Sequence, residues 1–96
     1  MMKLWIDDVR PAPDGWEHVT NYDDAVLALQ TARYDVVSFD NDLGAGSKEG
    51  YQIADWLEAA VYRGEVLPPK LCLVHSMNPV ARERIAITLR RFTCVD

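Results

Sequence analysis

The chain has 96 residues, 49% hydrophobic and 26% charged, with 15 acidic and 10 basic side chains and a net charge of −5. A chain this short buries roughly 60 to 65% of the surface it exposes when unfolded, enough for one core, which predicts a single domain over 1–96. No apolar run approaches the roughly 20 residues of a membrane span, and the two aspartates within Met1 to Arg10 do not suit a signal peptide, so the expectation is a cytoplasmic protein with no membrane partner.

Lys3-Leu4-Trp5-Ile6 opens the chain as a short run without polar alternation, the pattern of a strand buried on both faces of a parallel sheet. The next stretch, Asp7 to Trp16, contains two prolines and a glycine, so a loop rather than a helix makes the first crossover. A weaker strand is predicted around Glu17 to Thr20. A helix follows from about Asp23 to Arg33, with Thr20 or Asn21 as cap and Tyr22, Val26, Leu29 and Arg33 on one face beside Ala25 and Ala32. Val36-Val37-Ser38-Phe39 is the third strand.

The spacing then predicts a second helix from about Glu49 to Arg63, with Ile53, Ala54, Leu57, Ala60 and Val61 as its core stripe and Gly64 as its stop. Leu71-Cys72-Leu73-Val74 is the fourth strand. The last helix opens near Pro79 and turns Ala81, Ile85, Leu89 and Phe92 to the sheet, leaving Arg82, Arg84, Arg90 and Arg91 mainly outside. Phe92 to Asp96 either adds a fifth edge strand or frays. Strands alternating with helices in this way predict an α/β domain of three layers around a small parallel sheet.

Two isolated cysteines make neither a disulfide framework nor a cysteine-rich zinc site, and Cys72 reads as core. The acidic balance excludes non-specific binding of long nucleic acid, which depends on lysine and arginine neutralising phosphates. That balance is uneven. Residues 1 to 58 hold twelve acids and four bases, net −8, whereas residues 59 to 96 hold three acids and six bases, net +3.

Three strands end in polar clusters: Asp7-Asp8, Asp40-Asn41-Asp42 and His75-Ser76-Met77-Asn78. In an open parallel sheet the ligand site lies beyond the carboxyl ends of the strands, so these clusters converge on one rim. Aspartates after strands also form turns and caps, but carboxylates gathered at one rim repel one another unless a proton or cation intervenes. A hard divalent ion, Mg²⁺ or Mn²⁺, answers that need and engages a phosphate oxygen in turn. Asp7 and Asp40 are the leading candidate ligands, with Asp8 and Asp42 in support, although Asp42 before Leu43-Gly44 can instead organise the loop. His75 is the candidate proton carrier. Asn41, Ser76, Asn78 and Arg82 are candidate phosphate contacts, helped by the N-terminus of the last helix. His18 reads as a surface residue.

The acids after strands one and three and the hydroxyl after strand four resemble the response-regulator receiver fold, which implies the strand order 2-1-3-4 and Mg²⁺ beside a phosphorylated aspartate. Two features depart from it: the first helix is missing, and Lys70 is the last lysine, with none after a fifth strand. Leu4 to Pro13, Asp40 to Gly44 and Val74 to Pro79 are more similar to the cyclic-phosphate processing receiver domains, with their Leu-x-x-Asp-Asp-x-Arg-x-x-Pro, Asp-His-Asp-Leu-Gly and Val-His-Ser-x-Asn-Pro motifs. Asn41 stands where that family has histidine. The resemblance implies a metal-assisted phosphoesterase acting on the cyclic phosphate of a nucleotide or RNA end, or a degenerate relative. The alternative is a non-catalytic, receiver-like module that binds a protein partner through its acidic face or the arginines of its last helix.

Overall fold

The apolar runs form parallel strands because neither face of the sheet alternates cleanly with polar residues. In the computed structural model, which describes residues 1–96, the order is β1 (Lys3–Ile6), β2 (Glu17–Val19), α1 (Tyr22–Thr31), β3 (Val36–Phe39), α2 (Gly50–Tyr62), β4 (Leu71–Val74), α3 (Pro79–Arg90) and β5 (Cys94–Val95). All pairings are parallel and the sheet order is β2-β1-β3-β4-β5. The expected order is thus extended by one short edge strand. Val95 pairs with Cys72 and packs against the core, while Asp96 N–H donates to the Cys72 carbonyl at 3.0 Å.

Register decides which side chains share a face. Leu4, Val37 and Cys72 lie level with one another, as do Ile6, Phe39 and Val74. Five of these six are fully buried in one cluster with Leu29, Ile53, Leu57, Ile85 and Leu89 from the helices, and Val74 packs against it. Burying each large side chain contributes roughly 1.5–3 kcal/mol. From β2 onward every connection advances in one direction across the sheet, so right-handed crossovers put α1, α2 and α3 on the same face, where neighbouring helices pack together.

The opposite face, carrying Lys3, Trp5, Val36, Ser38, Leu71 and Leu73, receives no helix. Its covering layer is the Asp7 to Trp16 loop, where Pro11, Pro13 and the left-handed Gly15 (φ +84°) prevent helix formation. Trp16 packs edge-on against Trp5, ring centroids 5.7 Å apart, and Trp5 Nε1 donates to the Arg10 carbonyl at 3.2 Å.

Helix boundaries follow local chemistry. Asn21, rather than Thr20, caps α1 by accepting from Asp24 N–H at 2.9 Å. That helix ends at Thr31, two residues short of the expected end. Ala32 is already extended, and Arg33 is exposed and donates to the Pro68 carbonyl. Ala25 and Leu29 are its buried residues, so Arg33 does not belong to the core face. Ile53, Ala54, Leu57 and Ala60 are buried on α2, and Ala81, Ile85 and Leu89 on α3, as the spacing predicts. Gly64, at φ +73°, follows the C-cap of α2. No helix is long and apolar enough to cross a membrane.

Candidate functional site

Because β1, β3 and β4 are adjacent and parallel, the segments that follow them meet at one edge of the sheet. They border a cleft of about 740 Å³ lined by Asp7, Asp8, Asp40, Asp42, Ser76 and Asn78 together with Arg10 and the 43–49 loop. Six of the nine residues singled out from the sequence therefore line one space. Asn41, His75 and Arg82 do not.

Asp7 is the most heavily bonded group at this edge. It is 1% exposed. Its Oδ1 accepts from the backbone N–H groups of Val9 and Arg10, both at 2.8 Å. Its Oδ2 accepts from Arg10 Nη1 at 3.3 Å and from His75 Nε2 at 3.0 Å. Four donors match the roughly four acceptor positions of a carboxylate. Burial works against its charge, but the two backbone N–H groups and His75 overcome it and hold the carboxyl below its ordinary pKa.

Asp40 has the opposite environment. It is 7% exposed and accepts no well-formed hydrogen bond, and the nearest cation is Arg10 Nη1, 3.8 Å from Oδ1. Burial, then the charge of Asp7, push its pKa up, and the Asn41 N–H and Arg10 only partly offset them. Two neighbouring carboxylates thus carry different properties: one anchored and ionised, the other desolvated and facing the cleft.

His75 lies behind Asp7, its side chain 17% exposed. The ring stacks on Trp5, centroids 3.8 Å apart and planes within 6°. Its Nδ1 meets Ser38 Oγ at 2.6 Å, and its Nε2 meets Asp7. An ionised Asp7 only accepts, so Nε2 carries the proton and Nδ1 accepts from the Ser38 hydroxyl. Burial lowers the His75 pKa more than Asp7 and Asp40 raise it, which keeps the ring neutral near pH 7. Ser38, His75 and Asp7 form a hydrogen-bonded line, but Ser38 is 1% exposed and cannot act as a nucleophile toward a ligand in the cleft. With both ring nitrogens engaged, His75 orients Asp7 rather than facing the cleft.

Three further expectations are revised by side-chain direction. Asn41 is buried, its Oδ1 accepting from Tyr51 N–H at 3.2 Å and its carbonyl from Gly50 N–H at 2.8 Å, so it fastens the start of α2. Arg82 is exposed and lies outside the cleft lining. The N-terminus of α3 is closed, since Asn78 Oδ1 accepts from Val80 and Ala81 N–H, each at 3.1 Å, and Pro79 has no N–H to offer. Asn78→Ala should cost about 1 kcal/mol of stability, read as a lower urea midpoint. Ser76, 3% exposed, accepts from Asn78 N–H at 3.2 Å and keeps its hydroxyl proton to donate.

The sequence shows Arg10 only as the arginine of the Leu-x-x-Asp-Asp-x-Arg-x-x-Pro pattern, with no role attached, although it stands three residues after Asp7, within reach for a turn-closing carboxylate. No role for Trp5 or Ser38 shows in the sequence, because nothing in a strand's sequence says which ring will lie over a histidine that follows a strand two places away. His18 is exposed, as expected, but its Nε2 donates to the Asp7 carbonyl at 2.7 Å and ties β2 to the site.

A family model described as the cyclic-phosphate processing receiver domain matches residues 2–91. The chain belongs to this receiver family. No curated protein matches it. The receiver domain's fitness for a cation turns on Arg10. One ligand atom each from Asp7, Asp40 and His75 lies within 4.8 Å of the others, but Asp7 has spent its acceptors and Arg10 Nη1 approaches both carboxylates. Between these carboxylates the guanidinium already supplies the positive charge. The cleft side of Asp40 is different, for there Asp8 and Asp42 also line the wall. Asp8 and Asp42 stand outside the cluster that Asp7, Asp40 and His75 form.

Proposed function

We propose that this domain hydrolyses the cyclic phosphate of a nucleotide or an RNA end. The observation that carries the reading is Asp40, a buried carboxylate without a full hydrogen-bond partner, facing a polar cleft in a chain whose family is described by cyclic-phosphate processing. Water adds to phosphorus, one ring P–O bond breaks, and the proton lost by the water balances the one gained by the leaving sugar oxygen. Asp40 is suited to take the water's proton because its environment disfavours its charge. The Ser76 hydroxyl and the Asn78 amide belong to residues that line the same cleft and would donate to phosphoryl oxygens as charge builds on them. Asp7 and His75 keep their mutual bond and hold the floor of the cleft in place.

A divalent ion held by Asp8 and Asp42 would polarise a phosphoryl oxygen and lower the pKa of its bound water, leaving Asp40 free to take the proton. The test is conversion of adenosine 2′,3′-cyclic phosphate to the monoester, followed by phosphorus NMR with Mg²⁺ or Mn²⁺. Asp40→Asn should lower turnover by about 10²-fold or more and raise the melting temperature, since a desolvated charge is removed. No turnover by the unmodified domain with either ion overturns the hydrolytic reading. Sequestration of both His75 ring nitrogens favours a second reading, a module that binds phosphate without turnover.

A further inference from the structure

We propose that Arg10 is the residue that grips the substrate phosphate, a role that rests on the cyclic-phosphate reading and names the ligand's contact group. Among the residues lining the cleft, Asp7, Asp8, Asp40, Asp42 and Glu49 are acidic and Arg10 is the one basic side chain. An anion entering this space meets repulsion everywhere except near that guanidinium. The side chain is 42% exposed, so a ligand can reach it.

Arg10 is also held in place before any ligand arrives. Its N–H donates to Asp7 Oδ1 at 2.8 Å and its carbonyl accepts from Trp5 Nε1 at 3.2 Å. Nη1 is held by Asp7 Oδ2 at 3.3 Å and by the His75 carbonyl at 3.2 Å. Nε and Nη2 donate to no protein group, which leaves three N–H groups of a planar fork free. A fork of this kind matches two oxygens of one phosphate, and a cyclic phosphodiester has two non-bridging oxygens to offer. Anchoring through Nη1 lowers the ordering cost of the grip. Asp40 Oδ1 is 3.8 Å from Nη1, so a phosphate on the free fork shares its guanidinium with that carboxylate. Arg82, exposed and outside the cleft, has none of these features.

The test compares equilibrium binding of adenosine 2′-monophosphate, by calorimetry, and of Mn²⁺, by electron paramagnetic resonance, in the unmodified domain, Arg10→Met, Arg10→Lys and Arg82→Met. Nucleotide affinity should fall at least tenfold in Arg10→Met, fall less in Arg10→Lys, which keeps the charge but loses the fork, and stay within twofold in Arg82→Met. Mn²⁺ affinity of Arg10→Met should rise, because the one cation lining the acidic cleft has left it; a collapsed site would lose both ligands together. If Arg10→Met does not fold, Arg10→Lys decides, and unchanged nucleotide affinity there overturns the proposal. An equal loss in Arg82→Met, or no nucleotide binding by the unmodified domain, overturns it as well. Arg10-dependent binding without turnover leaves the grip standing and removes the hydrolytic reading. Turnover with unchanged KM in Arg10→Met does the reverse.

Discussion

Asp7→Ala should lower the stability of the domain by about 3–5 kcal/mol, a large part of what a small domain has. The substitution removes one acceptor from each of four donors at once: two backbone N–H groups, Arg10 Nη1 and His75 Nε2. It also leaves the Arg10 guanidinium beside Asp40 alone, and it unties the His75 ring from the loop that covers the second face of the sheet. A urea titration followed by circular dichroism measures the loss, and a change under 1 kcal/mol would show that water replaces Asp7 at little cost. The same carboxylate gives the unmodified domain a pH dependence. Its folded pKa lies below the ordinary value of 3.8, so its contribution is fully present above 3.8 and disappears as the pH falls through the folded value. Asp40 acts with the opposite sign. Its pKa is raised in the fold, so its ionisation costs stability as the pH climbs above 3.8. Stability of Asp7→Ala should therefore fall less on acidification than that of the unmodified domain, or rise, because the Asp7 loss is gone and the Asp40 gain remains.

Gly50→Ala should be comparably damaging, by about 3 kcal/mol or more, although alanine is the better helix former. A Cβ at this position would lie 2.0 Å from the Asp40 carbonyl oxygen and 2.9 Å from Asn41 Cα. Both obstacles are backbone, so the only relief is to push the start of α2 away from the end of β3. That movement breaks the 2.8 Å bond from Gly50 N–H to the Asn41 carbonyl and displaces Asp40. The expected result is a lower melting temperature together with loss of whatever activity Asp40 supports, and a normal melt would contradict the close approach. Gly44→Ala makes a useful contrast. Its left-handed φ of +102° disfavours alanine, but the added Cβ meets only the Asp8 side chain, at 3.5 Å.

Most of the fold is legible in the sequence because hydrophobic period and proline placement act locally. The runs at Lys3, Val36 and Leu71, the stripe on α2 and the Pro79 start all become the predicted elements. The loop in place of a first crossover helix follows from Pro11, Pro13 and Gly15 alone. The edge strand at Cys94 could not be decided, since two residues carry too little pattern and pair only because Leu71 and Cys72 lie alongside. At the site, topology let the sequence place Asp7, Asp8, Asp40, Asp42, Ser76 and Asn78 around one cleft. It could not say that the His75 ring would turn back onto Trp5, that Asn78 would spend its oxygen on its own helix, or that Asn41 would be used by α2. Those outcomes depend on side-chain direction, and direction is set by contacts across the sheet. Arg10 is the instructive case: the carboxylates drew attention to a missing cation, and the chain already carries one within the same turn, as the arginine of its first motif.

The indole of Trp5 lies flat against His75, one bond away from Asp7 and the floor of the cleft. Indole emission responds when a stacked imidazole shifts or gains a proton, so the domain contains its own optical reporter. Trp16 meets the same ring edge-on, and Trp56 lies on α2, away from this stack. A change in the Trp5 part of the spectrum would therefore signal events at the strand ends, with no label attached.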